Sequence, residues 1–103
     1  MGRRLHAMKV VWLKRARNDL NEAIQWLNQR NPVAARKAAR LINLQVSQLG
    51  SYPQLGRIGL IDGSRELIIQ HTRYIAAYQI NLQNNRIEIL ALVNESIQWP
   101  EEF

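Results

Sequence analysis

The chain has 103 residues, no cysteine and a formal net charge of +6. That length suits one domain with a single core, and the missing cysteines exclude disulfides and thiolate metal sites and fit a reducing, cytoplasmic setting. No stretch approaches the roughly 20 apolar residues of a membrane span, and Met1–Ala7 carries two arginines with no apolar run behind them, so no secretory signal is expected.

Residues 1–7 read as an N-terminal extension, and a single domain is expected over 8–103. Lys9–Leu13 is short, β-branched and aromatic, which predicts a strand. From Lys14 the period changes. Ala16, Leu20, Ala23, Ile24 and Leu27 fall on one helical face, and the helix is expected to end near Arg30. Asn31-Pro32 predicts an immediate restart, because asparagine caps helix N-termini and proline suits the first helical position. Ala34, Ala38, Leu41, Ile42, Val46 and Leu49 then form the apolar side of a second helix, with Gly50 as its C-terminal cap. So short a link implies an antiparallel helical hairpin.

Ser51–Ser64 contains Pro53, Gly56, Gly59 and Gly63 and reads as one long irregular stretch. Three strands are predicted after it. Arg65–Gln70 puts Leu67 and Ile69 on the face of Arg65. Arg73–Asn81 puts Tyr74, Ala76, Tyr78 and Ile80 on one face. Arg86–Val93 puts Ile87, Ile89, Ala91 and Val93 on one face and Arg86, Glu88, Leu90 and Leu92 on the other. His71-Thr72 and Asn84-Asn85 are the tight links between them. The expected fold is α+β: an N-terminal strand, an antiparallel two-helix hairpin and a three-stranded antiparallel meander (β-α-α-β-β-β), with the hairpin on one face and the first strand joining the sheet.

The charge is lopsided. Residues 1–60 carry eleven Lys/Arg against Asp19 and Glu22, a net +9, whereas residues 61–103 carry three against six acids, a net −3. Such a field favours a polyanionic or acidic partner over a neutral one. Phosphate-binding loops and zinc-protease helices are absent. His6 and His71 are the only histidines, so neither a metal site nor a cofactor is expected. Cleavage of RNA requires a base, an acid and a cation for the phosphorane-like charge. Arg65, Arg73, Arg86, His71, Glu66 and Glu88 are the polar groups on offer. Arg65 and Glu66 are strand neighbours and point to opposite faces, while Arg86 and Glu88 share a face and suit an ion pair. No convergence of groups able to break a phosphodiester is expected, and no catalytic residue is assigned.

Met8-Lys9-Val10-Val11-Trp12, Ala16, Asp19-Leu20, Asn31-Pro32-Val33-Ala34-Ala35 and Pro53-Gln54-Leu55-Gly56-Arg57 occur in an ordered set. Gly63-Ser64-Arg65-Glu66-Leu67, Tyr74-Ile75-Ala76-Ala77-Tyr78, Ile87-Glu88-Ile89-Leu90 and Trp99-Pro100 continue it. The set resembles the RelE/ParE toxin superfamily over residues 8–100. By that resemblance, RNA-cleaving RelE-like members carry a basic residue where this chain has Ile75, lysines where it has Glu66 and Ile68, and an arginine and a tyrosine within its Asn94–Trp99. The chain therefore resembles the ParE-like branch, although Asn94-Glu95-Ser96 replaces that branch's histidine and basic residue.

The resemblance implies the toxin of a type II toxin–antitoxin pair that binds and inhibits DNA gyrase and is neutralised by a small acidic antitoxin. The alternatives it leaves are a ribosome-dependent mRNA endoribonuclease and a non-toxic binding relative. Arg57, Arg65, Arg73 and Trp99 are the candidate target contacts. Arg57 is otherwise a cap on loop carbonyls, Arg65 a partner of Glu88 or Asp62, and Trp99 a cover on the sheet end. Arg15, Arg17, Arg36, Lys37 and Arg40 either steer the antitoxin or are solvated helix faces.

Overall fold

The computed structural model describes residues 7–95. Strand β1 (Lys9–Trp12) leads into helix α1 (Lys14–Arg30), and Asn31 alone separates α1 from helix α2 (Pro32–Ser47). Asn31 is extended, with φ −157°. Its backbone N–H donates to the Leu27 carbonyl at 2.7 Å, closing α1, and its side-chain oxygen accepts from Ala34 N at 3.1 Å, opening α2. One residue thus ends one helix and caps the next.

A 3-10 turn, Gln48–Gly50, follows α2. Gly50 is not a left-handed cap, contrary to the sequence reading; among the described glycines the positive φ belongs to Gly63, at 82°. Gly50 instead lets two backbones meet. Met8 N donates to its carbonyl at 2.9 Å, and a Cβ there would lie 2.5 Å from the Met8 carbonyl oxygen.

Strands β2 (Arg57–Ile58), β3 (Arg65–Ile68), β4 (Tyr74–Asn81) and β5 (Arg86–Asn94) complete the chain's described elements. They form a five-stranded sheet in the order β1-β5-β4-β3-β2. The expected meander is β3-β4-β5, and β1 joins it parallel to β5. The stretch expected to be irregular contributes β2, which pairs with Arg65 and Glu66 of β3. Two residues between Gly56 and Gly59 are too few to carry a period-two signal. His71 at φ 67° and Asn85 at φ 51° make the two turns where tight links are predicted. Among the described residues no helix is long and apolar enough to cross a membrane.

The core lies between the hairpin and one sheet face. Ala16, Ile42, Val46 and Leu49 meet Leu67, Ile69, Ala76, Tyr78, Ile87, Ile89 and Leu92. On α2, Ala35 is buried, whereas Ala34 and Leu41, assigned to that side from sequence, are half-buried. The strict alternation predicted for β5 fails beyond Ile89. Ala77 opposes Ala91 and Tyr78 opposes Ile89, so Leu90 is an extra residue. This β-bulge reverses the alternation. Leu92 therefore faces the helices with Ile87 and Ile89, and Ala91 and Val93 face away. Leu92 N donates to Asp19 Oδ2 of α1 at 3.0 Å, so the helix satisfies a backbone donor outside the end of β1.

Candidate functional site

The sheet face turned away from the helices carries Lys9 and Val11 of β1, Arg86 and Glu88 of β5, Gln79 and Asn81 of β4, Glu66 and Ile68 of β3, and Arg57 of β2. This is the face on which the family resemblance would place RNA-cleaving groups. Glu66 and Glu88, each 5% exposed, occupy it instead. Glu66 Oε1 accepts from Arg57, with Nη2 at 2.9 Å, and Oε2 accepts from Leu60 N at 3.2 Å. Glu88 accepts from Gln79 Nε2 at 2.6 Å, Asn81 Nδ2 at 3.2 Å and Arg86 Nε at 2.6 Å. These bonds, Gln79's first and then those of Arg86 and Asn81, hold the Glu88 carboxyl below the usual carboxylate range. Both arginines on this face therefore meet solvent with a carboxylate already bound to them. Arg86 and Glu88 form the expected pair, along one strand rather than across two. Arg57 pairs with Glu66 rather than with loop carbonyls.

Arg65 lies on the opposite, helix-facing side and contacts neither Glu88 nor Asp62. Its Nη1 donates to the Gly56 carbonyl at 2.7 Å. The Tyr78 hydroxyl accepts from Gly56 N at 2.9 Å and donates to the Pro53 carbonyl at 2.7 Å. A strand tyrosine and a strand arginine thus pin the loop Pro53–Gly56 across the sheet. A Cβ at Gly56 would sit 2.7 Å from the Tyr78 ring, so the approach requires glycine. Burial pushes the Tyr78 phenol up, against the opposing effects of the Gly56 bond and the Arg65 charge. Arg65 is therefore a loop clamp.

A third place gathers groups that the sequence leaves scattered. A cleft of about 530 Å³ opens between the hairpin and the β3–β4 turn, lined in part by Trp26, Lys37, His71, Arg73 and Tyr74. The sequence alone gives Lys37 and Arg73 different candidate partners, the antitoxin and the target. Here they line one hollow with an imidazole and a phenol, a grouping that sequence spacing does not show. No carboxylate is among the described residues that line it. Burial pushes the Tyr74 phenol up, partly offset by a bond from Asn94. Two cations with no carboxylate among the described lining residues suit capture of an anion.

Of the remaining helix cations, Arg15 pairs with Asp19 at 3.6 Å. Arg17 lines a groove beside β1 with Leu20 and Asn43. Arg36 and Arg40 are exposed on α2. Trp99 lies outside the described residues. The sequence reading passed over Trp26 and the clamp made by Tyr78. Trp26 is off the apolar helical stripe, 52% exposed and stacked under Arg30 at 3.8 Å. A large aromatic out of phase with its helix was the available signal.

The model of the family described as the ParE toxin of the type II toxin–antitoxin system parDE matches residues 10–99. The chain is 32% identical over 93 residues to Y4kP of Sinorhizobium fredii, a protein whose name designates it a candidate toxin, covering 90% of this chain and 94% of that one. Its fold is similar to a chain of the chromosomal ParDE toxin–antitoxin system of P. aeruginosa, with a TM-score of 0.76, 25% identity, and 86% and 97% of the two chains covered. It also matches the fold of a chain in the RelBE2 toxin–antitoxin complex of Mycobacterium tuberculosis, with a TM-score of 0.58, 18% identity, and 85% and 98% covered.

Proposed function

The chain belongs to the ParE toxin family of type II toxin–antitoxin systems, and on that premise we propose that it inhibits by binding DNA gyrase, without chemistry of its own, and is neutralised by a cognate acidic antitoxin. The observation that carries this reading is the outer sheet face. Arg57 and Arg86 are bound to Glu66 and Glu88 at 2.9 and 2.6 Å. A cation held by a carboxylate has little charge to offer a phosphorane-like transition state. Purified protein in stoichiometric excess is expected to block gyrase supercoiling of relaxed plasmid in vitro; undiminished supercoiling would end the gyrase reading.

One observation favours a second reading, ribosome-dependent message cleavage: Lys37, His71 and Arg73 line one open cleft. Primer extension on translated message after induction separates the two. Codon-phased cuts that vanish in a Lys37→Ala, Arg73→Ala double variant would replace the binding reading with the enzymatic one.

A further inference from the structure

We infer that the groove beside β1 and the basic line on α2 that continues it hold the phosphate backbone of duplex DNA. This goes beyond the gyrase reading above and does not depend on it.

The groove lies at the open edge of the sheet, where β1 has β5 on one side only. It measures about 430 Å³ and takes Lys9 from β1, Arg17 from α1 and Asn43 from α2. Val10 and Val11, strand neighbours that face opposite sides of the sheet, both line it, so it follows the strand's edge. Lys9 N and Leu13 N donate to the Asn85 and Ile89 carbonyls, on the β5 side. Strand alternation therefore turns the N–H groups of Val10 and Trp12 toward the open edge. Backbone donors beside two cations are what phosphate oxygens accept from.

Helix α2 extends the positive strip. Arg36, Arg40 and Asn43 fall at i, i+4 and i+7, along one helical line. Seven residues of helix span about 10 Å, and a DNA strand presents a phosphate about every 3.4 Å of its axis, so the line meets about three of them. Lys9, Arg17, Arg36 and Arg40 are exposed. The ion pairs among described residues engage Arg15, Arg57 and Arg86 and none of these four.

Carboxylates are kept off the strip. No described residue that lines the groove is acidic, and Pro32–Ser47 contains no acid. On α1, Asp19 is taken by Leu92 N and Arg15, and Glu22 stands five positions after Arg17, about 140° around the helix. Single-strand binders add exposed aromatic platforms on which bases stack. Trp12, the aromatic among the described groove residues, packs against the core instead. A line of cations without a stacking platform suits the regular charge of a double strand.

Fluorescence anisotropy of a labelled duplex of about 30 base pairs tests this, with no gyrase or antitoxin present. The purified protein is expected to bind at 50 mM NaCl and about 40-fold more weakly at 200 mM, the loss that about three neutralised phosphates imply. Arg40→Glu should weaken binding at least about tenfold. Arg30→Glu, an equal change in net charge at the far end of α1, should weaken it less than about threefold. Urea unfolding first establishes that both variants are folded. Arg17→Gln, a milder change in the groove itself, should lower the salt slope by about one.

Equal weakening by Arg40→Glu and Arg30→Glu, or an unchanged slope in Arg17→Gln, would assign binding to net charge and overturn the strip. Tighter binding of a single strand of the same length would overturn the duplex assignment, as would displacement of the duplex by polyglutamate at equal charge. Absence of binding at 50 mM NaCl would overturn the inference outright. Each of these results leaves the gyrase reading to its own supercoiling assay.

Discussion

The Tyr78 hydroxyl sits where the loop Pro53–Gly56 crosses the sheet, accepting one backbone bond and donating another. Tyr78→Phe keeps the ring and removes both bonds. Gly56 N is left unpaired in a buried place, which costs about 1–3 kcal/mol. Chemical denaturation should show that loss, and a change within error would mean that water replaces the hydroxyl. Glu88 makes a prediction about pH. Its folded-state pKa is depressed, so its contribution to stability is present above the ordinary value of 4.5 and is lost as pH falls through the lower folded value. Glu88→Gln should therefore destabilise the protein at pH 7, and the gap to wild type should narrow as pH falls below about 4.5. A gap that holds constant from pH 7 to 3 would assign the cost to packing rather than charge.

At the scale of elements, the bulge in β5 decides which strand residues are core. Ile89 is fully buried and Leu90 is the half-buried extra residue. Ile89→Ala should cost about 2–5 kcal/mol and Leu90→Ala less than about 1.5 kcal/mol. Equal losses in urea unfolding would place the bulge elsewhere. The bulge also brings the Leu92 N–H to Asp19, coupling sheet to hairpin beyond the end of β1. A second tie lies at the far end of α2. Gln45 donates to the Gln70 carbonyl at 3.0 Å and accepts from Gln70 N at 2.7 Å. The hairpin is therefore tied to the sheet by hydrogen bonds from both helices.

For the whole molecule, net charge and its placement set how partners approach. A protein of +6 attracts an acidic partner over distances that salt screens, since the Debye length shrinks to a few ångströms at about 1 M ionic strength. Association with the antitoxin, followed by stopped flow, should slow by about tenfold or more between roughly 50 and 500 mM NaCl. A rate indifferent to salt would mean that the basic helix faces steer nothing.

Much of this was legible in local signals. Asn31-Pro32 marked the hairpin because capping is a property of a few adjacent residues, and the inward faces of α1 and β4 followed from period alone. Asn85 and His71 marked turns because short polar side chains tolerate positive φ better than most. The bulge, the strand β2 and the clamp on Pro53–Gly56 were not legible. Each depends on pairing between residues far apart in the chain, and an unpaired residue in a strand looks like any other until its neighbour is known. The site divides in the same way. The sequence by itself determined which cations the protein has, that Glu66 stands where a lysine was to be expected, and which family's pattern the chain follows. Only the tertiary structure decided where the other charges act: pairing β2 with β3 set Arg57 against Glu66, and laying α2 beside the β3–β4 turn brought Lys37 and Arg73, thirty-six positions apart, to the lining of one hollow.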